Sequence, residues 1–202
     1  MSVTKQGETK AEDVSAHGSA LDGLIERAGG LRGPAPVHLW NPAHCGASDI
    51  RIDHQGGWHH EGRPIQREAL VRLFSTVLRR EPDGSHVLVT PAEKLTITVE
   101  DVPFIVVEMA IDGEGEAQRL ILRTNVGDVV TVDAEHPLRI ATDASDDGLV
   151  PYVLVRGGLE ARLARPVVHE LARHFEQRGD EIGLLSAGHF FVIGRAEASV
   201  TP

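Results

Sequence analysis

The chain has 202 residues, 41% hydrophobic but only 4% aromatic, so Leu, Val and Ile must fill one ordinary core or two small ones. Its formal charge of −10 argues against a nucleic-acid scanner, which needs a net basic footprint, and against an electrostatic membrane binder. The one cysteine, Cys45, permits no intramolecular disulfide, residues 1–20 lack the apolar stretch of a signal peptide, and no apolar run approaches the roughly 20 residues of a membrane span, so a cytoplasmic protein is expected.

Residues 1–18 are small and polar and read as a disordered tail. Residues 19–36 read as a short N-terminal helix, Ala20–Ala28 with Leu21, Leu24 and Ile25 on one face, closed by Gly29-Gly30 and followed by a Pro-containing linker. From Asp49 the apolar period changes to two. Asp49–Asp53, the turn Gln55-Gly56-Gly57 and Trp58–His60 predict a β-hairpin. A helix is expected over 66–80, because Leu70, Leu73, Phe74, Val77 and Leu78 form one continuous stripe before Pro82-Asp83-Gly84 stops it.

Strand Val87–Val89 ends at Thr90-Pro91. Leu95–Val99, Phe104–Ile111, Gln118–Thr124 and Val129–Val132 then predict a four-stranded meander. Leu138–Ala141, Tyr152–Val155 and His189–Ile193 read as further strands, and 166–177 as a second helix. An echo links the two helices: Ile65-Gln66-Arg67 precedes one and Leu163-Ala164-Arg165 the other, at an offset of 165 − 67 = 98. Such a long period points to a duplicated supersecondary unit rather than a solenoid. The expected fold is α+β, two related halves of mainly antiparallel strands with one helix each, at residues 37–94 and 95–202.

The order of several short signatures resembles an uncharacterised bacterial family, domain of unknown function 1285. They run from Cys45-Gly46, Asp49–Ile52, Gly57-Trp58 and Gly62-x-Pro64-Ile65-x-Arg67 to Leu73-Phe74, Thr90-Pro91-x-Glu93-Lys94 and Val99-Glu100-Asp101-x-Pro103-Phe104, ending with Thr124-Asn125 and Gly158–Arg165. The resemblance covers about residues 38–193. It implies a duplicated α+β core whose C-terminal half looks superficially pleckstrin-homology-like. It also implies a ligand site between the halves, a nucleotide-like ligand and a signalling role, with no established activity.

Arginine carries the most chemical information. Residues 63–80 hold five arginines against Glu68 alone, in a protein of net charge −10. Arg67 and Arg165 each fall at a predicted helix start, where free N–H groups favour an anion, and Arg suits forked binding of phosphate or carboxylate. Two readings stay open and are compatible: internal salt bridges of Arg67 with Glu100 or Asp101 and of Arg165 with Glu160, or an anionic ligand.

Thr90, Glu93, Lys94 and Asp101 sit in two polar clusters that suit capping, ligand contact or acid–base work. Asn125 and Trp40 complete the candidate ligand-binding set. The early histidines match no zinc spacing and read as exposed hairpin residues. No P-loop, dinucleotide fingerprint, nucleophile elbow or HExxH occurs, so no cofactor, metal or catalytic residue is expected. The function expected is a non-enzymatic binder of a small anionic, nucleotide-type ligand at the junction of the halves. The alternatives are a protein–protein interaction module without a small ligand and a hydrolase of a phosphorylated metabolite.

Overall fold

Alternating burial sets the strands. The computed structural model describes residues 34–142 and 148–195, so the expected tail and N-terminal helix lie outside the described residues. Strand β1 (His44–Ile52) buries Ile50 and Ile52 and turns Asp49 and Arg51 outward. β2 (Trp58–His60) returns antiparallel, as the hairpin pattern predicts, and β3 (Arg63–Pro64) closes a short meander. Helix α1 (Glu68–Thr76) follows, then a second meander of β4 (Leu78–Arg80), β5 (His86–Val89) and β6 (Lys94–Val99). β6 begins at Lys94, the residue the sequence places last in the first half, and lies wholly within this sheet.

A third meander contains β7 (Phe104–Asp112), β8 (Arg119–Thr124) and β9 (Val129–Thr131); a fourth contains β10 (Leu138–Thr142), β11 (Leu149–Arg156) and β12 (Leu159–Leu163). Helix α2 (Arg165–Leu171) packs on β7. A fifth meander, β13 (Glu176–Arg178), β14 (Glu181–Ser186) and β15 (His189–Arg195), forms a small third sheet. Buried Ser186 fixes it in place: its hydroxyl donates to the Val132 carbonyl at 2.6 Å and accepts from Leu120 N–H at 2.9 Å.

The duplication is visible in the topology. The first sheet has the order β3-β2-β1-β6-β5-β4 and the second the matching order β9-β8-β7-β12-β11-β10. In each, the first strand of one meander pairs parallel with the last strand of the next, β1 with β6 and β7 with β12, while all other pairs are antiparallel. The repeat therefore equates β1–β6 with β7–β12. The offset-98 echo lies off this register, because α1 stands between two meanders and α2 after a pair of them.

Three further expectations need correction. The helix predicted to Arg80 ends at Thr76, and β4 takes over. Ser75 and Thr76 donate their hydroxyls to the carbonyls of Arg72 and Leu73, each at 2.7 Å, a local alternative to helical bonding, and β5 offers Leu78–Arg80 a ladder. The second helix stops at Leu171, and its expected end is 3-10 turn and strand β13. The four-stranded meander is split, since β6 belongs to the first sheet and only β7–β9 form the meander. β12 and β14 were not expected as strands. Among the described residues there are two α-helices and fifteen strands, a balance much nearer to all-β than α+β suggests.

One apolar cluster runs through both large sheets. Ile50, Ile52, Trp58, Phe74 and Leu88 join Phe104, Leu120, Leu122, Val153 and Leu159, with Val167 and Leu171 of α2 and Leu184 of the third sheet. Each such side chain contributes roughly 1.5–3 kcal/mol on burial. Trp58 stacks on Phe74 with ring centroids 6.0 Å apart, a core role rather than an exposed stacking platform.

Candidate functional site

The two sheets meet along a junction with two sides. On one, the β1–β2 turn docks against β7 and the link after β8. Asp53 organises that turn: one carboxylate oxygen accepts from the N–H groups of Gln55 (2.9 Å) and Gly57 (2.8 Å), the other from His59 Nε2–H at 2.7 Å. Burial acts most strongly and raises the Asp53 pKa, but the bonds from His59, Gly57 and Gln55 together outweigh it and hold the carboxyl below its ordinary range. The turn brings Gly56 against the second half with φ +75, and a Cβ there would lie 2.6 Å from Ile105 Cγ1. Asn125 spans the contact, accepting from Ile105 N–H at 3.1 Å and donating to the Gly56 carbonyl at 3.4 Å.

Around this turn the charges are already engaged. Glu100 accepts from Arg51 and, through its other oxygen, from His54 N–H at 3.1 Å. Arg162 donates to the His54 carbonyl and lies 3.6 Å from Asp101, which also accepts from the Tyr152 hydroxyl at 3.1 Å. Burial foremost, and the Asp101 charge next, push the Tyr152 phenol up. Arg139 forks onto Glu160 at 2.6 and 2.8 Å and covers the Tyr152 ring at 4.0 Å. Thus Glu100, Asp101 and Glu160 pair with Arg51, Arg162 and Arg139, in place of the Arg67 and Arg165 bridges the sequence offers.

The other side opens into a cleft of about 350 Å³ that takes residues from both halves. Ala35, Val37, Leu78 and Leu159 give it apolar walls, and Arg79, Arg80 and Arg156 bring positive charge. Arg79 is fixed three ways: Nε–H donates to Glu81 at 2.7 Å and Nη1–H to the carbonyls of Val37 (2.8 Å) and Trp40 (2.5 Å). Arg156 donates to the Ser75 carbonyl at the end of α1 at 2.7 Å and lies 4.8 Å over the Phe104 ring. Its Nη1 is 3.3 Å from Asp128 Oδ2, yet neither buried atom makes a hydrogen bond. Burial foremost lowers the Arg156 pKa and raises that of Asp128, each partly opposed by the other's charge. Arg80 is different. It is exposed, and among the described residues its one side-chain hydrogen bond is Nη1–H to the Gly158 carbonyl at 3.4 Å, across the junction.

The sequence-derived candidates fall in several places. Arg67 is the exposed N-cap residue of α1 and makes no side-chain cap bond. Arg165 opens α2 and lines a separate 530 Å³ cleft with Arg162, His169, Val150 and Pro151. Thr90 is buried, and its hydroxyl accepts from the N–H groups of Ala92 (3.4 Å) and Glu93 (3.2 Å), shaping the turn into β6. Lys94 lies 3.7 Å from Glu81, so Lys94 and Trp40 are joined through the Glu81–Arg79 pair. Asn125 and Asp101 both belong to the docked turn.

Nothing in the sequence marks Arg80 or Arg156 as a cleft residue. Arg80 was hidden inside an expected helix, and Arg156 ends a strand with no motif around it. Among the described residues no group of three or more His, Cys, Asp or Glu side chains is placed to hold a metal. No described helix is long and apolar enough to cross a membrane.

Two family models cover the described chain. "Domain of unknown function (DUF1285), N-terminal domain" matches residues 35–102, and "Protein of unknown function (DUF1285), C-terminal domain" matches 103–193. Among solved structures, a DUF1285 family protein from Silicibacter pomeroyi DSS-3 is 42% identical with a TM-score of 0.81, over 86% of this chain and 96% of that one. Another from Shewanella baltica OS155, at 22% identity and a TM-score of 0.52, covers 64% of this chain and 94% of its own, a likeness of fold alone. No curated protein matches. With both family models and a close relative along nearly its whole described length, the chain belongs to the DUF1285 family.

Proposed function

We propose that this protein is a non-enzymatic binder of a small anionic ligand, seated in the junction cleft between its two halves. The observation that carries the reading is Arg80: an exposed guanidinium at the lip of a two-sided cleft, held by one long bond where Arg79 and Arg156 are firmly engaged. A forked cation with spare donors beside apolar walls is what an anionic ligand requires. Trp40 and Lys94 act indirectly, through the contacts that fix Arg79 and Glu81. A nucleotide-type ligand, a signalling role, a cytoplasmic setting, one helix in each half and a pleckstrin-homology-like C-terminal half complete the reading.

The test is a thermal-shift screen of the full chain against nucleotides, cyclic nucleotides, simple phosphates and organic carboxylates. Ligand at 100 times its dissociation constant stabilises the folded state by about 2.7 kcal/mol. A dose-dependent rise that Arg80→Gln abolishes supports the reading. No shift up to millimolar concentrations turns the function toward a protein partner.

A further inference from the structure

Resting on the anionic-ligand site of that reading, and departing from its nucleotide-type ligand, we infer that the junction cleft takes a ligand with a single negative charge and an apolar body, held by Arg80. The argument is one of charge and wall chemistry. Of the three arginines lining the cleft, Arg79 is neutralised by Glu81 at 2.5 Å and Arg156 faces Asp128 at 3.3 Å. Neither pair has charge to spare. His86, beside Arg80, has its pKa lowered by burial first and by the Arg80 charge second, both of which disfavour a second positive charge there.

Among the described residues no aspartate or glutamate lines the cleft, so its three arginines leave a local surplus of one positive charge, on Arg80, with the His38 imidazole also in the lining. A nucleoside di- or triphosphate brings several negative charges, and all but one would sit desolvated and unpaired against Pro34, Ala35, Val37, Leu78 and Leu159. Those same walls suit hydrocarbon. Among the described residues the His38 imidazole is the one aromatic ring in the lining, and no larger phenyl, phenol or indole face is there to stack a nucleobase. A carboxylate on an aliphatic or aryl body meets every condition, and so does a monoanionic phosphodiester with an apolar substituent.

Isothermal titration of the full chain with octanoate and, separately, with ADP decides the matter, using wild type, Arg80→Gln, Arg80→Lys and the exposed control Arg63→Gln. Octanoate is expected to bind more tightly than ADP. Loss of a charge-assisted bond in Arg80→Gln weakens octanoate roughly tenfold to a hundredfold. Arg80→Lys retains most of the affinity, and Arg63→Gln leaves it unchanged. Octanoate binding that ignores Arg80→Gln overturns the proposal. ADP binding more tightly, and through Arg80, overturns the single-charge class while leaving the junction site in place. No Arg80-dependent binding of either overturns both. A monoanionic dialkyl phosphate run beside octanoate separates carboxylate from phosphodiester as the source of the charge.

Discussion

At Asp53 three donors converge on one carboxylate, and the consequence is measurable. The folded-state pKa is depressed, so the stabilisation is complete above the ordinary aspartate range and is lost as the pH falls through the lower folded value. Asp53→Ala should cost about 1–3 kcal/mol at pH 7. The gap from wild type should close as the pH drops below about 3.9. Urea melts of both proteins at pH 7 and at stepwise lower pH check this.

The Arg156–Asp128 pair makes the opposite kind of prediction. Both side chains are mostly buried, at 21% and 18% exposure, and each retains an atom without a hydrogen bond. Arg156→Met strands Asp128 and should cost roughly 3–5 kcal/mol, whereas adding Asp128→Leu should recover most of that loss. Denaturation midpoints of the single and double variants decide it. Neither pair could be read in advance. In the sequence His59 is one more hairpin histidine and Asp128 one more polar residue between two expected strands, because their partners depend on which faces the chain brings together.

At the scale of elements, the turn after β1 shows how local chemistry becomes a docking surface. Gly56 lies so close to Ile105 and Asn125 that Gly56→Ala must both strain a left-handed backbone and push the Ile105 side chain aside. A loss of about 1–3 kcal/mol is expected for the strain alone, with a larger effect than at Gly62, whose φ is +74 but whose missing Cβ would meet open space. Thermal melts of Gly56→Ala and Gly62→Ala make the comparison.

The hairpin itself was legible, since Asp49–Asp53 and Trp58–His60 alternate around a glycine turn. The end of α1 was not. Val77 and Leu78 continue the apolar stripe and are both buried, but as turn and strand, because both periods can deliver the same residue to the core. β12 was masked in the same way: Leu159, Ala161 and Leu163 alternate cleanly, yet the segment read as the run-up to a helix.

For the molecule as a whole, the single apolar cluster running through both large sheets predicts one cooperative transition. Calorimetry should give one peak with matching calorimetric and van't Hoff enthalpies, and residues 34–102 alone should bind a hydrophobic dye rather than unfold cooperatively. The duplication was legible only as a short echo around two arginines, which marked helix starts rather than the repeat. Its true register is written in strand order, which no short motif records.

The parallel pairs carry a consequence for how the chain acquires its shape. β1 and β6 lie at residues 44–52 and 94–99, β7 and β12 at 104–112 and 159–163, so each sheet is closed by the two strands most remote in its stretch of chain. Hairpins can zip locally within microseconds, but these central ladders must wait for long loops to close. During synthesis the middle of each sheet is therefore its last part to form. Until Val99 has left the ribosome, β1 presents an unpaired edge at the position that will become the centre of the first sheet.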